Sequence, residues 1–282
     1  MMDKVRALAG LMKPELPIFA GVCVIIGEAL ALGRIPDAFP VVIGFLIGLL
    51  ISAAEMVSND YFDLEVDKVN HPERPLPSGQ VSSKEAIFFT AFLSAMGLLA
   101  SALLGPLVLV FTALIWALGM LYNWKLKSTG LPGNMLVALS VAMTFVLGGM
   151  IVDRSESGLV WTFALMAFVF DLAEEISGGI RDAEGDGLIG SRSLARVHGR
   201  TFAMYCVSFL FAIFIAASAL PYIFGWLGSY YLVLILTADL IITVLVAKLW
   251  KAKTPEEGRG VQRALYLTLM FFIIMILLIS LL

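Results

Sequence analysis

Cysteine and histidine are almost missing from this chain, with two of each among 282 residues. Cys23 and Cys206 lie far apart inside apolar stretches. Two thiols alone make no disulfide framework and no recognisable zinc pattern, so they read as packing residues. His71 and His198 are isolated, and neither belongs to an HExxH-like arrangement. There is no basic domain and no nucleic-acid reading motif, which removes that class of partner. The basic start at the N-terminus is not followed by a small-residue cleavage site, so no cleavable signal peptide is expected. Charge is scarce as well: 15% of residues are charged and 60% are hydrophobic.

Polar faces are the other thing lacking. Runs such as 41–57 and 271–282 show no sustained polar side, unlike the amphipathic helices of soluble proteins, and mean hydropathy is +0.95. A span needs about 20 apolar residues to cross the hydrocarbon core. By that rule nine candidate spans fall at 16–33, 39–58, 86–104, 106–123, 132–152, 157–178, 201–220, 228–249 and 263–282. Only helices or closed barrels satisfy backbone groups in lipid. The expected fold is therefore all-α, a polytopic bundle of nine transmembrane helices forming one domain over residues 1–282. Of the 19 lysines and arginines, all but Arg34 and Arg154 fall on the N-terminal side of the membrane. That bias predicts a cytoplasmic N-terminus and an outside C-terminus.

Two connections are long, at 59–84 and 178–200, and each follows the acidic end of a span. The two spans are separated by four helices, a spacing that suggests two related four-helix halves plus one closing helix. The first cluster is Asn59-Asp60-x-x-Asp63-x-x-x-Asp67; the second is Glu175 with Asp182 and Asp186. On a helix the first three acids fall within an arc of roughly 60° and the second three within roughly 40°. The second arc requires the helix to run on through Gly178-Gly179, which could instead mark a break. Clustered carboxylates raise one another's pKa unless cations neutralise them. A hard divalent ion that shares oxygen ligands with substrate phosphates is the simplest neutraliser. A charge at the membrane centre costs about 2.5–3.5 kcal/mol, and placement at helix ends lowers that cost. These residues point to a membrane-embedded Mg²⁺–phosphate site on the cytoplasmic side. The first cluster continues through Asn70 to Arg74-Pro75-Leu76-Pro77-Ser78-Gly79, in which the guanidinium suits phosphate and the prolines read as structural.

Those segments, with Tyr122-Asn123-Trp124-Lys125-Leu126-Lys127 and Leu11-Met12-Lys13-Pro14, resemble in order the signatures of the UbiA superfamily of intramembrane prenyltransferases. Glu175 stands where Asp is often first in the second signature, and Lys13 where Arg is usual. The resemblance covers the whole chain. It implies transfer of an isoprenyl group from a polyprenyl diphosphate, with Mg²⁺ held by Asn59, Asp60, Asp63, Asp67, Glu175, Asp182 and Asp186. Asp63, Asp67, Asp182 and Asp186 are the implied catalytic core. Arg74, Tyr122, Lys125, Lys127, Lys13 and Arg181 are the implied substrate contacts.

Each of those contacts has a plainer reading beside it. Lys125 and Lys127 also satisfy the positive-inside bias, and Tyr122 also suits an interfacial anchor. Arg181 could serve only as a salt-bridge partner of Asp182. Within the superfamily the chain looks most like the branch that makes archaeal ether lipids, joining geranylgeranyl diphosphate to the hydroxyl of geranylgeranylglyceryl phosphate. The segments behind that likeness are Lys13-Pro14-Glu15-Leu16-Pro17 with Gly27-Glu28-Ala29-Leu30, and 126–134. An anionic acceptor needs further cations, for which Lys13 or Lys125 is the expected source. An aromatic acceptor (4-hydroxybenzoate or a quinone precursor) is the alternative. A metal- or phosphate-coupled transporter is a third reading, disfavoured because its acids should lie near the midplane in broken helices. Asp239, the main acid inside a span, reads as locally paired. No obligatory protein partner is inferred.

Overall fold

The computed structural model describes residues 2–181 and 192–280, so Asp182 and Asp186 lie outside the described residues. Every predicted span is helical: α2 (Glu15–Leu32), α3 (Ala38–Phe62), α5 (Ser83–Ala102), α6 (Pro106–Leu121), α7 (Leu131–Ile151), α8 (Gly158–Arg181), α10 (Arg200–Ser218), α12 (Ser229–Lys251) and α13 (Pro255–Ser280). Shorter helices lie between them: α1 (Met2–Met12), α4 (Leu64–Asn70), α9 (Leu194–His198) and α11 (Leu220–Ile223). No strand occurs among the described residues. Among the described residues, eight helices are long and apolar enough to cross a membrane. α8 is long enough too and is set apart by its own acids, Asp171, Glu174 and Glu175.

Two helix starts differ from the hydropathy reading for a local reason. α5 begins ahead of residue 86 because Ser82 and Glu85 form a capping box. Glu85 N donates to Ser82 Oγ at 3.3 Å, and Ser82 N donates to Glu85 Oε2 at 2.8 Å. α13 begins at Pro255, ahead of the expected 263, because Thr254 Oγ1 accepts from Glu257 N at 3.2 Å. Its first turns carry Glu256, Glu257 and Arg259, which kept them below any hydropathy threshold.

The described chain gathers into two compact units. The first comprises residues 1–31, 36–126 and 143–155. α3 is its axis and packs on α1, α5 and α6. One buried cluster joins Ala7 and Leu11 of α1 to Ala53, Ala54 and Val57 of α3, and to Leu76 and Val81 of the 71–82 connection. α2 reaches α3 closely because Gly48 has no side chain: a Cβ there would lie 2.8 Å from the Ala20 carbonyl oxygen. Small residues permit such backbone approach where lipid supplies no hydrophobic drive.

The second unit comprises residues 32–35, 127–142 and 156–282. α8 packs on α10, with Phe170 edge-on to Phe211 at 5.5 Å, and α13 packs on α12 and α8. Arg200 closes the end of α12 by donating to the Trp250 and Ala252 carbonyls at 3.2 and 2.8 Å. Such cationic capping matches the exposed carbonyls of a helix C-terminus. Asp239 is locally hydrogen-bonded, as expected, accepting from Ser218 Oγ at 2.8 Å. The boundary between the units falls inside α7, and α13 packs on α8 and α12 within the second unit.

Candidate active site

In the first unit, α3 ends at Phe62 and α4 starts at Leu64, with Asp63 between them at φ −86°, ψ 0°. The backbone stays near-helical across this step. Asp63 N donates to Asn59 O at 2.9 Å, and Asp67 N donates to Asp63 O at 2.8 Å. Asp60 and Asp67 therefore keep the shared side that their spacing predicts, and both are buried.

What faces them is cationic. Arg74 Nη1 donates to Asp67 Oδ2 at 2.7 Å and lies 3.9 Å from Asp60 Oδ1. Lys13 Nζ donates to Asp60 Oδ1 at 2.6 Å. Arg74 is returned to the helix by the loop that follows it. Leu76 and Val81 are buried in the α1–α3 cluster, Val81 N donates to Pro75 O at 2.9 Å, and Gly79 supplies the φ of +76° that the reversal needs. Lys13 sits at φ +47°, between α1 and α2, a left-handed conformation that costs a non-glycine residue energy. In that conformation its ammonium reaches the buried Asp60 carboxylate.

Asn59 is oriented by a residue that the sequence reading quoted without assigning it a role. α6 gives way to a π-helix at Tyr122–Leu126, which turns Asn123 into the protein, and such local widening recurs at functional sites. Asn59 Nδ2 donates to Asn123 Oδ1 at 3.1 Å. Asn123 Nδ2 donates to Ser58 Oγ at 2.6 Å and to Glu55 O at 2.9 Å. The Asn59 amide nitrogen is thereby committed, and its carbonyl oxygen is the atom suited to a hard cation. Asn123→Leu keeps the branched shape but strips partners from Asn59 and Ser58. It should lower stability by about 1–3 kcal/mol, read as a drop in thermal unfolding temperature with a parallel loss of turnover. An unchanged melting point would show that the amide network is dispensable. Glu55, one turn before Asn59, packs against Gly119, and its Oε1 is buried without a hydrogen-bond partner.

In the second unit α8 does continue through Gly178-Gly179 to Arg181. The glycines do not break the helix. A Cβ at Gly179 would lie 3.1 Å from Ser193 Cβ, so this glycine admits the chain returning after residue 191. That return is also tied by Arg192 N donating to Ser128 O at 3.0 Å, next to Lys127. Lys127 and Arg181 are the cations whose fields reach Glu175. Arg181 Nη1 donates to Gln262 Oε1 at 2.6 Å. Asp171 and Glu174 share the acidic side of α8 and act electrostatically with Glu175. Neither was a candidate from spacing, although both stand within one turn of Glu175.

The structure thus brings Lys13, Asp60, Asp67 and Arg74 together, sets Asn59 on Asn123, and sets Lys127 and Arg181 near Glu175. Tyr122 is half-buried in the π-helix. Lys125 is exposed, with Nζ 4.0 Å from the centroid of the Trp124 ring. A cation over an indole face at the end of a span suits an interfacial anchor. Among the described residues, no three Asp, Glu, His or Cys side chains are gathered to hold a metal by themselves. The all-oxygen character of Asn59, Asp63 and Asp67 nonetheless suits Mg²⁺, which binds few carboxylates and keeps water or phosphate oxygens.

Known proteins resemble this chain along nearly its whole length. Residues 20–276 match the UbiA prenyltransferase family. The curated digeranylgeranylglyceryl phosphate synthase of Thermococcus gammatolerans is 33% identical over 275 residues, covering 96% of this chain and 98% of its own. A solved structure of digeranylgeranylglyceryl phosphate synthase in membranes has a TM-score of 0.81 at 27% identity and covers 98% of each chain. A UbiA homologue from Archaeoglobus fulgidus, solved bound to DMAPP and Mg²⁺, has a TM-score of 0.73 over 97% of this chain and 98% of its own. At 17% identity that is a likeness of fold. With the acidic helix ends, their facing cations and the helical bundle on which they stand, these similarities establish that the chain belongs to the UbiA prenyltransferase family.

Proposed function

We propose that this membrane enzyme transfers a geranylgeranyl group from geranylgeranyl diphosphate to geranylgeranylglyceryl phosphate, releasing diphosphate and forming digeranylgeranylglyceryl phosphate. The observation that carries the site is the Lys13–Asp60–Arg74–Asp67 array, in which buried carboxylates and cations alternate at one helix end. Such an array suits a metal–diphosphate, which brings charge of both signs. The acceptor is supported by full-length relatives that carry this activity in their names.

In this reading Asn59, Asp63 and Asp67, with Asp60 in support, serve the metal at the first motif. Glu175, Asp182 and Asp186 serve it at the second. Bound Mg²⁺ supplies Lewis-acid neutralisation of the diphosphate charge. Arg74 and Lys127 donate to diphosphate oxygens as the allylic C1–O bond breaks and its electron pair leaves with diphosphate. The glycerol hydroxyl oxygen then bonds to C1 and gives up its proton, forming the ether. The apolar helices hold the prenyl chain and keep water from the electron-deficient carbon. Lys13 stays with Asp60 and contributes positive charge for the anionic acceptor. The distribution of lysine and arginine supports a cytoplasmic side for both motifs and the N-terminus, with the C-terminus outside.

The test is product identity. Purified protein, Mg²⁺ and labelled geranylgeranyl diphosphate are incubated with geranylgeranylglyceryl phosphate and 4-hydroxybenzoate together, and the products are weighed by mass spectrometry. A dialkylated glycerol phosphate, lost on adding EDTA, is expected. A prenylated aromatic instead would move the acceptor while keeping the donor chemistry, and no product from either would overturn the assignment.

A further inference from the structure

Gln262 of α13 is 4% exposed, and its side chain is fully used. Oε1 accepts from Arg181 Nη1 at 2.6 Å; Nε2 donates to Ser177 Oγ at 2.6 Å and to Glu174 O at 3.3 Å. The amide orientation is unambiguous, because a guanidinium only donates and a backbone carbonyl only accepts. All three partners lie in the last turns of α8, the stretch that carries Glu175 and leads into Asp182.

That stretch is intrinsically weak. Gly178 and Gly179 each cost roughly 1 kcal/mol relative to alanine in a helix interior, yet the helix runs through both. Gly179 cannot be exchanged for a better helix former without pushing on Ser193. The turn that must present the second acidic motif therefore needs an external hold, and Gln262 supplies one from a neighbouring helix. The same amide also fixes Arg181, one of the two cations acting on Glu175.

We propose that Gln262 is a positioning residue for the acidic end of α8: it keeps the Gly178-Gly179 turn helical and aims Arg181, so that Glu175 is held for a metal–diphosphate. This inference rests on the proposed prenyl-transfer reading, and it gives α13 a role at the site besides packing.

The experiment compares wild type with Gln262→Leu, Gln262→Glu, Ser177→Ala and Glu175→Gln in detergent. Binding of Mn²⁺ in the presence of inorganic diphosphate is followed by electron paramagnetic resonance, and KM values for donor and acceptor are measured alongside. Gln262→Leu should weaken Mn²⁺ binding roughly tenfold, the scale of losing an outer-shell partner. It should also raise the donor KM and leave the acceptor KM unchanged. Gln262→Glu still accepts from Arg181 and should recover most of the loss; a role in packing alone would leave Gln262→Leu, of similar size, little affected in the first place. Wild-type Mn²⁺ binding in Gln262→Leu, with weak binding in Glu175→Gln, would overturn the inference and leave the functional reading intact. Wild-type binding in Glu175→Gln would instead remove the second motif as a metal site. If Gln262→Leu fails to fold, Ser177→Ala removes one partner alone, and unchanged Mn²⁺ binding there overturns the proposal equally.

Discussion

Asp63→Ala should leave a folded, membrane-inserted protein whose turnover falls by at least roughly 10²–10³-fold, the scale of losing one preorganised electrostatic group. The position makes this a cleaner test than its neighbours. Asp60 and Asp67 are buried under ion pairs with Lys13 and Arg74, so their removal strands a cation and disturbs the fold. Asp63 stands at the junction of α3 and α4 and is half-exposed. Alanine retains the backbone bonds from Asp63 N to Asn59 O and from Asp67 N to Asp63 O that carry the helix onward. Size-exclusion behaviour and thermal unfolding should therefore match wild type, while geranylgeranyl transfer at saturating Mg²⁺ is lost. Asp182→Ala, chosen from the second motif, should behave alike. Near-wild-type turnover in either variant would end the two-motif mechanism.

Arg74→Ala should be the most destabilising single change at the site. It removes the 2.7 Å partner of Asp67 and the 3.9 Å neighbour of Asp60 at once. Breaking a buried pair from one side costs about 3–5 kcal/mol, and the partial exposure of Arg74, 31% of its side chain, favours the lower end of that range. The loop behind it is coupled, since Ser78 Oγ and Ser78 N both bond the Arg74 carbonyl, at 2.7 and 3.0 Å. A lower melting temperature in EDTA is expected, with part of the deficit recovered by Mg²⁺, because the metal would neutralise carboxylates the guanidinium no longer covers. Arg74→Lys should fall between, keeping charge without the planar fork. A deficit in Arg74→Ala that Mg²⁺ leaves untouched would show that these carboxylates do not take the metal. Turnover should fall in both variants, since the same guanidinium is assigned to the diphosphate.

The sequence by itself determined the helical bundle, because a long apolar run has few ways to satisfy its backbone in lipid. It also placed Asp60, Asp63 and Asp67 at and just beyond the end of α3, since their spacing is a property of a single helix and needs no partner to be read. α8 was legible as a helix but not as one set apart by three carboxylates, because Asp171 and Glu174 lie outside the motif spacing. Only the tertiary structure decided who neutralises whom. Lys13 meets Asp60 across 47 residues, Asn59 meets Asn123 across 64, and Arg181 meets Gln262 across 81. None of these pairs shares a periodic element, so no spacing rule could find them. They depend on how α1, the π-helix and α13 pack, through Leu76 and Val81 buried beneath the first loop and glycines that let backbones approach. Local sequence fixes dihedrals and faces over a few residues. Partners many turns apart are set by packing, which is a property of the whole fold.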